Sequence, residues 1–465
     1  MKRSKVLRSI PFDLSLRDAL GERLRVLPDD CARYPVSGVT PKSVALPRDA
    51  KETALALGAA TAEGATVVVR GAGTKSHRLP SPRAVDVVLD TRALDGIIEH
   101  ASEDLVITVG GGTPLAKLEA ALRAHGQFWP CDAPFAATAT VGGTIASNAH
   151  GALRLRYGAL REQILGAQIA TADGALVRTG ARVVKSVAGY DAHKLMAGSF
   201  GTLGVIVEAT LKVAPLPEVE NVVIARFRSP VTACAVARAV AASVLFPLAI
   251  VLIDDACAKR VGALLAHAST GSWLLLIRCG GNRGSVARQV ADLRNACDAA
   301  GADAVSVLDH AVTPRAWSDI RELAGGAPYD SERYVVQKTT SLPTDAPAVI
   351  ADARNRWPAA ELSAQPGSGI VYAHIPLAAL EPMARANGEP AHIEPLRRSY
   401  QRAGWSEVVL SAPPAPASVS SSLLHPSTLP AYVAAREAPT RLFRAVKAAL
   451  DPAGTLDPGR LPGGV

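Results

Sequence analysis

Three glycine-rich stretches between residues 70 and 206, each next to an apolar run, constrain this chain most strongly. They read RGAGTKS (Arg70–Ser76), TVGGTIASN (Thr140–Asn148) and GSFGTLGVI (Gly198–Ile206). Glycine takes positive φ angles easily, so consecutive backbone N–H groups in such loops can point at one anion. Three of these loops are hard to explain as ordinary turns. The pattern therefore predicts a binding site for a flat ligand that carries phosphate.

Two common nucleotide motifs do not fit the first stretch. A P-loop needs glycine directly before Lys75, where this chain has Thr74. The dinucleotide fingerprint needs a third glycine at the position of Ser76 and a helix that starts in the loop, but prolines follow at positions 80 and 82. An ATPase and a nicotinamide Rossmann site are therefore disfavoured. A phosphate cradle without a helix and a tight turn that leaves a buried strand both stay open.

The same stretches resemble the flavin-binding domain of the vanillyl-alcohol oxidase/PCMH superfamily. Three further stretches resemble the FAD-binding E subunit of bacterial glycolate oxidase and related 2-hydroxy-acid dehydrogenases: DLVITVGGGTPLAKLEAAL (Asp104–Leu122), RVVKSVAGYDAHKLMAGSFGTLGVI (Arg182–Ile206) and LDPAGTLDPGRL (Leu450–Leu461). The likeness extends over residues 37–217, returns at 440–462 and is weak between them. A departure is Asp457, where the family has asparagine.

The resemblance implies FAD as the cofactor and assigns roles to residues of the three loops. The pyrophosphate would be wrapped by Arg70, Gly71, Ala72, Gly73, Thr74, Lys75 and Ser76. The flavin and ribityl chain would run along Pro134, Thr138, Ala139, Thr140, Gly142 and Gly143, with Ser147 and Asn148 near the ring or the ribityl hydroxyls. The adenine or diphosphate side would be closed by Gly201, Gly204 and Ile206. Some relatives bind FAD through a histidine at the position of Thr74, so non-covalent FAD is expected, with His77 a surface residue.

The catalytic residues are not evident from the sequence. Oxidation of a 2-hydroxy acid needs a base and a cation for the substrate carboxylate. The resemblance leads us to expect a histidine-rich stretch in the second domain, sometimes metal-binding, but the sequence lacks one, so no metal site is expected. His150 and His374 are weak candidates for the base, and a buried structural histidine is the better interpretation of His374. His392, Arg397 and Arg398 are interpreted as solvated.

The fold class predicted is α+β, with a PCMH-type FAD-binding domain of two α/β subdomains and a second α+β domain. The expected divisions are a lead-in helix and loop (1–36), the FAD-binding domain (37–217), a substrate or cap domain (218–410), a Pro/Ser/Ala-rich connection (411–440), and a C-terminal helix and tail returning to the FAD domain (441–465). No internal sequence repeat is evident.

Alternating elements after residue 217 predict the architecture of the second domain. The expected order is strand 219–227, helix 231–245, strand 248–253, a short helix at 255–267, strand 273–278, helix 285–299 and strand 302–308. This order is that of the split βαβ, or ferredoxin-like, arrangement with an antiparallel sheet. In the first domain we expect strands at 66–70, 86–90 and 105–109, a helix from 114 to 125, and a hairpin around Asp173 and Gly174.

Composition excludes several classes of protein. The 465 residues include 48% hydrophobic and 20% charged residues, as in globular proteins, and we see no apolar run of membrane-spanning length and no signal peptide. The formal charge of +8 comes without a basic helix, and aromatic residues are 4%, so nucleic-acid binding is disfavoured. The six cysteines are widely spaced, which predicts free thiols in a cytoplasmic protein.

Three functional hypotheses follow. The first is an FAD-binding subunit of a glycolate oxidase-like complex, which handles electrons from glycolate or D-lactate with a second flavoprotein subunit and an Fe–S subunit. The second is a self-sufficient FAD-dependent dehydrogenase of a 2-hydroxy acid or a sugar acid. The third is a non-catalytic scaffold subunit with the FAD fold. A cytoplasmic location, with peripheral association at the inner face of the membrane through partners, is expected.

Overall fold

The computed structural model describes residues 16–18, 20–36, 38–76, 82, 85–181, 190–324, 333–379, 406–411 and 437–459. The predicted positions His77, His392, Arg397 and Arg398 lie outside these ranges. The first half of the described chain contains eleven strands, which in chain order are β1 (Leu24–Arg25), β2 (Ser43–Ala45), β3 (Val67–Arg70), β4 (Val87–Asp90), β5 (Ile97–Ala101), β6 (Val106–Gly110), β7 (Gln127–Phe128), β8 (Ile164–Ala170), β9 (Leu176–Gly180), β10 (Val205–Lys212) and β11 (Ala214–Pro215).

Two sheets form the first domain. The four-stranded sheet has the order β1-β2-β4-β3, with β4 parallel to both β2 and β3. The five-stranded sheet has the order β5-β6-β10-β8-β9 and is antiparallel throughout, and it includes the predicted hairpin of β8 and β9. The strand β7 pairs only with β11. The loop after β3 and the start of β10 therefore lie where the two sheets approach each other.

Eleven α-helices accompany the strands in the described chain, together with short 3₁₀ segments. The α-helices are Pro28–Cys31, Ala50–Ala62, Leu115–Arg123, Val141–Ala146, Arg154–Tyr157, Pro230–Ala241, Asp255–Ala258, Arg283–Ala299, Thr313–Leu323, Ala346–Arg356 and Glu437–Leu450. The 3₁₀ segments are Gly21–Arg23, Leu160–Gln163, Ala192–Met196, Gly262–His267, Pro343–Asp345 and Pro366–Ser368.

Local sequence explains the helices of the first domain. Helix Leu115–Arg123 buries Leu115, Leu118 and Leu122, which recur at helical spacing and pack against the five-stranded sheet. Helix Ala50–Ala62 begins after Asp49, whose carboxylate accepts a hydrogen bond from the Glu52 backbone N–H at 2.8 Å. Helix Leu115–Arg123 packs on the five-stranded sheet alone, whereas helix Ala50–Ala62 lies in a core that both sheets share, with Leu89 of one sheet and Val205 of the other.

The second domain is built on one antiparallel sheet of eight strands. These are β12 (Val219–Phe227), β13 (Ala249–Asp254), β14 (Trp273–Gly281), β15 (Ala304–Leu308), β16 (Tyr334–Thr340), β17 (Glu361–Gln365), β18 (Ile370–Pro376) and β19 (Ser406–Ser411). Their order is β15-β12-β14-β13-β17-β18-β16-β19. The first four strands have the order of the predicted split βαβ unit.

The other half of this sheet has the same topology. Taken in chain order, β16 to β19 lie in the arrangement that β12 to β15 adopt, and the two units meet where β13 pairs with β17. The sequence gives no sign of this repeat. The repeat is defined by the pairing of backbone strands. Different apolar side chains can occupy equivalent positions in such a core, so the residues of the two units need not resemble each other.

The two faces of the eight-stranded sheet have different neighbours. One face packs against helices Pro230–Ala241, Arg283–Ala299 and Ala346–Arg356. The other packs against helix Thr313–Leu323 and against residues of the first domain, including Ala152 and Leu153. The second domain therefore presents a continuous side-chain surface to the first domain.

Several predicted boundaries differ from the structure. The helix expected to reach residue 245 ends at Ala241, because the Ser243 hydroxyl donates to the Val240 carbonyl at 2.7 Å. The strand from Trp273 extends to Gly281, because it pairs with β12 along its whole length. The lead-in contributes strand β1 to the first sheet, and the last helix starts at Glu437, inside the expected connection.

Candidate functional site

The first glycine-rich loop leaves the C-terminal end of β3. Gly73 has φ of +75°, and the Ser76 N–H donates to the Gly73 carbonyl at 3.2 Å, so the chain turns tightly here. Arg70 at the end of the strand stacks on Tyr34, with its guanidinium carbon 5.4 Å from the ring centre. Burial lowers the pKa of Arg70 from its usual value, but an arginine remains charged at physiological pH. The loop thus combines backbone N–H groups with a fixed positive charge.

The second loop continues into helix Val141–Ala146. The Thr140 hydroxyl accepts a hydrogen bond from the Gly143 N–H at 3.2 Å, which caps the helix. The Ser147 hydroxyl at its other end donates to the Gly143 carbonyl at 2.7 Å. The Gly142 N–H donates to the Gly111 carbonyl at 2.7 Å, so the helix lies directly against the chain after β6.

The third loop packs between the first two. The Phe200 N–H donates to the Ala146 carbonyl at 2.8 Å. Gly201 has φ of +81°, and a Cβ atom there would lie 2.9 Å from the Cβ of Val69. A side chain at this position would therefore collide with β3, and glycine allows the close approach that brings the three loops together.

The three loops line one cleft of about 760 Å³, open to solvent on one side. Fourteen of the predicted cofactor residues line it, namely Arg70, Gly71, Ala72, Gly73, Thr74, Lys75, Ser76, Thr140, Gly142, Gly143, Ser147, Gly201, Gly204 and Ile206. Clefts of this size hold cofactors and other ligands of comparable size. Its glycine-rich walls and cationic loop fit a flat molecule that carries a diphosphate.

Four predicted residues are not among those that line the cleft. Pro134 and Ala139 are buried, and Thr138 and Asn148 are exposed. Residues that the sequence argument did not name line it instead, namely Val68, Val69, Thr91, Ala146, Phe200, Val205 and Asp457. Four of these are direct neighbours of a predicted residue in the chain, and Val68 is two positions from Arg70. Thr91 and Asp457 reach the cleft through sheet pairing, which the glycine pattern does not reveal.

A second cavity lies between the two domains, with a volume of about 320 Å³. The first domain contributes Asp132, Gly151 and Ala152, and the second contributes Val251, Trp317, Ile320, Arg321, Leu323, Ala324, Ser363, Ala364, Gln365 and Tyr372. We call this cavity the interdomain pocket. Its walls combine an apolar helix face with the polar side chains Ser363, Gln365 and Tyr372 from neighbouring strands.

Arg321 is the cation of the interdomain pocket, and the sequence argument missed it. Its Nη2 donates to the Ser318 hydroxyl at 3.1 Å, and its Nε lies 3.5 Å from the Glu322 carboxylate. Arg321 lies on helix Thr313–Leu323, whose buried face also carries Trp317 and Ile320. Arg321 follows Ile320 directly and lies four residues after Trp317, so it is next to the buried face of the helix. This position could be recognised from the sequence only after the helix had been assigned.

The loop around Phe135 connects the interdomain pocket to the cleft that the three glycine-rich loops line, which we call the cofactor cleft. The Glu322 carboxylate accepts hydrogen bonds from the N–H groups of Phe135 at 2.6 Å and Ala136 at 3.3 Å. The buried ammonium of Lys75 lies 5.6 Å from the centre of the Phe135 ring. One short loop therefore touches the glycine-rich loop on one side and helix Thr313–Leu323 on the other.

The two weak histidine candidates both lie next to the interdomain pocket. The ring nitrogens of His150 lie 3.1 Å from the carbonyl oxygen of Gly151, which lines the pocket, and 3.0 Å from that of Gly158. His374 Nε2 is 3.3 Å from the hydroxyl of Ser363. Burial lowers the pKa of His150, and it lowers that of His374 to about 3, so the His374 ring is neutral at physiological pH.

The structure also locates the cysteines and the titratable side chains of the described chain. All six cysteines are free, and five of them are buried. Within the described ranges, no three His, Cys, Asp or Glu side chains converge as a metal-binding group. The helices that the structure describes are all too short or too polar to cross a lipid bilayer.

Comparison with known families matches both domains. Residues 41–180 match the family model "FAD binding domain", and residues 216–384 match "FAD linked oxidases, C-terminal domain". The crystal structure of p-cresol methylhydroxylase has the same fold at 14% identity, with a TM-score of 0.76, over 97% of this chain and 96% of that chain. The chain therefore has the PCMH-type fold with a second domain, and FAD is its cofactor, as the walls of the cleft allow.

Relatives of curated function match part of the chain. Glycolate oxidase subunit GlcD of Bacillus subtilis is 29% identical over 269 residues, 57% of each chain. Glycolate oxidase subunit GlcE of Escherichia coli is 41% identical over 152 residues, 32% of this chain and 43% of the relative. D-2-hydroxyglutarate dehydrogenase of Xanthomonas citri is 33% identical over 220 residues, 46% and 47% of the two chains. The matches thus span about half the length of these relatives.

Proposed function

We propose that this chain, an FAD-dependent oxidoreductase with an FAD binding domain and an FAD-linked oxidase C-terminal domain, oxidises a small 2-hydroxy acid in the interdomain pocket. The observation that carries the proposal is the position of Arg321 in that pocket. Arg321 is partly buried, and a guanidinium is well suited to a carboxylate because it can donate two parallel hydrogen bonds. The relatives named glycolate oxidase subunits and D-2-hydroxyglutarate dehydrogenase support the same substrate class.

The position of the pocket supports chemistry next to the cofactor. The loop of Phe135 lies between Lys75 of the cofactor cleft and Glu322, the neighbour of Arg321. When bound in the cleft, FAD would accept the hydride that leaves Cα of the substrate. The hydroxyl loses a proton in the same oxidation, so the product is a 2-oxo acid. Arg321 would hold the carboxylate and fix which face of Cα is presented.

The walls of the pocket favour a short substrate. The volume of about 320 Å³ includes space that is open to solvent, so the room within the walls is small. Ile320, Leu323 and Ala324 form an apolar side, which suits hydrogen or methyl at Cα more than a second charged group. Glycolate and D-lactate meet these limits, so we propose them as the substrates to test first.

Polar groups of the sheet would orient the reacting hydroxyl. Ser363 and Gln365 are on β17 and Tyr372 is on β18, and all three line the pocket. His374 lies behind Ser363, and its neutral ring can accept a hydrogen bond from the serine hydroxyl. We propose His374 as a positioning residue that orients Ser363.

The direct test is reduction of the bound flavin by substrate. The purified chain, loaded with FAD under anaerobic conditions, is mixed with glycolate, D-lactate, L-lactate and a sugar acid, and its visible absorbance is followed. We expect loss of the oxidised-flavin band with a short 2-hydroxy acid and no loss with succinate, which lacks the hydroxyl group. A chain that binds FAD but keeps this band with every 2-hydroxy acid in the panel contradicts the proposed reaction.

We further propose that the chain acts as a cytoplasmic subunit of a glycolate oxidase-like complex, with a second flavoprotein subunit and an Fe–S subunit. The support is that two relatives are named as glycolate oxidase subunits. Affinity purification from the native host, followed by identification of bound proteins and measurement of their iron, tests this proposal. A tagged chain that is recovered alone and turns over glycolate with full activity would instead be a self-sufficient dehydrogenase.

A further inference from the structure

The last described residues form part of the wall of the cofactor cleft. Residues 455–457 run parallel to the start of β3, where the Val67 N–H donates to the Thr455 carbonyl at 2.7 Å and the Asp457 N–H donates to the Val67 carbonyl at 2.8 Å. Asp457 lines the cleft and is only 2% exposed. A carboxylate from the far end of the chain is thus built into the wall of a site for an anionic cofactor.

A buried ion pair holds this segment in place. The Lys447 ammonium donates to the carbonyls of Thr202 at 2.7 Å and Leu456 at 2.6 Å, and it pairs with Asp451 at 2.5 Å. The Asp451 carboxylate also accepts the N–H groups of Thr455 and Leu456 at 2.9 and 2.8 Å. Lys447 and Asp451 are both buried, so the segment is rigidly attached to the third glycine-rich loop.

The carboxylate of Asp457 limits the kind of ligand group that can bind beside it. A carboxylate accepts hydrogen bonds and repels phosphate, so a ligand group beside it should be a donor. In FAD the donors on the adenosine half are the ribose hydroxyls and the adenine amine. The Asp457 backbone has φ of +44°, a conformation that is costly for residues other than Gly, Asn and Asp. Aspartate therefore fits this backbone position, and so does asparagine.

The two ends of the cleft differ. Lys75 lies in the loop after the end of β3, and it contacts Phe135 beside the interdomain pocket. Asp457 pairs with Val67, the first residue of β3. Because the flavin ring must reach the pocket, the adenosine half of FAD should extend away from Lys75 and towards Asp457.

We propose that Asp457 accepts a hydrogen bond from the adenosine half of FAD, either from a ribose hydroxyl or from the adenine amine, and thereby makes the cleft prefer FAD to FMN. The inference rests on the proposed function, because that function places the flavin ring at the interdomain pocket, but it does not depend on which 2-hydroxy acid is oxidised. It assigns a specificity role to the position at which the chain departs from the asparagine of the resembled family.

The experiment is a titration of the full-length apoprotein with FAD, with FMN, and with ADP in competition against FAD, followed by flavin fluorescence. We expect Asp457→Ala to raise the dissociation constant of FAD by about tenfold to a hundredfold, the range for a hydrogen bond to a charged group. The inhibition constant of ADP should rise by a similar factor, and the dissociation constant of FMN should not change.

Matched variants separate binding from folding. Asp457→Asn tolerates the left-handed backbone and keeps one acceptor oxygen, so it should lie between wild type and Asp457→Ala for FAD and ADP. Glu103→Gln, an exposed carboxylate outside the cleft, should change none of the constants. Thermal unfolding of each apoprotein reports folding damage.

Two outcomes would overturn the proposal. One is an ADP inhibition constant that is the same for wild type and for Asp457→Ala. The other is an equal weakening of FAD and FMN, which would place Asp457 at the flavin half instead. Either result leaves the proposed oxidation of 2-hydroxy acids intact, because that is judged by bleaching of the bound flavin in the wild-type chain.

Discussion

The cofactor cleft and the interdomain pocket are built in different ways. Most of the cleft lining comes from three continuous loops, and its characteristic groups are glycines and backbone N–H groups. The pocket comes from the loops on both sides of the second glycine cluster, one helix and three strands, and its characteristic groups are side chains such as Arg321, Ser363 and Tyr372. A cofactor that many proteins share can be bound by backbone groups, whereas a substrate is distinguished by a small number of side chains.

This difference makes the two regions respond differently to mutation. A substitution in the pocket should change turnover and leave FAD bound, because the pocket lies outside the cleft. A substitution in the glycine-rich loops should release FAD, and turnover should recover when enough FAD is added. The four predictions below test this separation.

The largest effect is expected for Arg321→Met, which keeps much of the side-chain volume and removes the charge. If Arg321 holds the substrate carboxylate, kcat/KM for a 2-hydroxy acid should fall by about a hundredfold or more, since loss of a buried charge partner costs about 2–5 kcal/mol. The FAD content should stay at the wild-type value. Arg315→Met, on the exposed side of the same helix, is the control. Equal kcat/KM for the two variants would remove Arg321 from the site.

His374 should make the chain sensitive to acid. Its pKa is about 3 in the folded chain and about 6.5 when unfolded, so only the unfolded chain takes up this proton between these values. Stability should therefore fall as pH drops below 6.5, by about 2 kcal/mol between pH 7 and pH 5. Urea unfolding at the two pH values should show that His374→Gln loses less stability than wild type. An identical loss in both would contradict the assignment.

Gly73→Ala should weaken the binding of FAD and leave the interdomain pocket unchanged. The new methyl group is strained at φ of +75° and lies 2.7 Å from Nε of Arg70, so the Arg70 guanidinium must move from its place beside the loop. We expect the dissociation constant of FAD to rise about tenfold, measured by flavin fluorescence. Gly64→Ala has a similar φ of +66° with open space around it, and it should reduce stability while leaving FAD binding unchanged. Unchanged FAD binding in Gly73→Ala would argue against a backbone grip.

The smallest effect is expected for Glu322→Ala, which removes the acceptor for the Phe135 and Ala136 N–H groups. Water can replace this acceptor in part, so we expect KM for the substrate to rise about fivefold with little change in kcat, an effect of about 1 kcal/mol. Steady-state kinetics measure both constants. Glu322→Gln keeps an acceptor oxygen and should recover most of the loss. If Glu322→Gln is as impaired as the alanine variant, the negative charge matters more than the hydrogen bonds.

Much of the first domain could be predicted from the sequence. The spacing of Leu115, Leu118 and Leu122 predicts the helix, and the glycine clusters predict loops that line a cleft. Pro134 and Thr138 were assigned to the flavin by resemblance, but they do not line the cleft, because the chain before Thr140 turns towards the second domain and Glu322. The boundary of helix Pro230–Ala241 was also missed, because a single serine hydroxyl ends it.

In the second domain too, one part could be predicted from the sequence and another part could not. Its first four strands follow from alternating strand and helix patterns, and the structure has them in the expected order. Its second unit could not be predicted, because hydrogen-bonded pairing between β13 and β17 joins the two units and leaves no mark in the residues. His150 and His374 were named as candidates for the base without any indication of where they lie in the fold. The pairing of strands in the sheet is what brings His374 close to Ser363.

The sequence by itself determined the local features: the strand before each loop, the glycines that free the backbone and the cofactor that such a backbone can hold. These depend on residues within about ten positions of one another, so the chain order contains the whole pattern. The tertiary structure decided which distant residues share a cavity. Arg321 shares a pocket with Asp132 and Ser363, and Asp457 shares the cleft with Val69, because sheets and domains pack through surface shape and burial, which are properties of the folded chain.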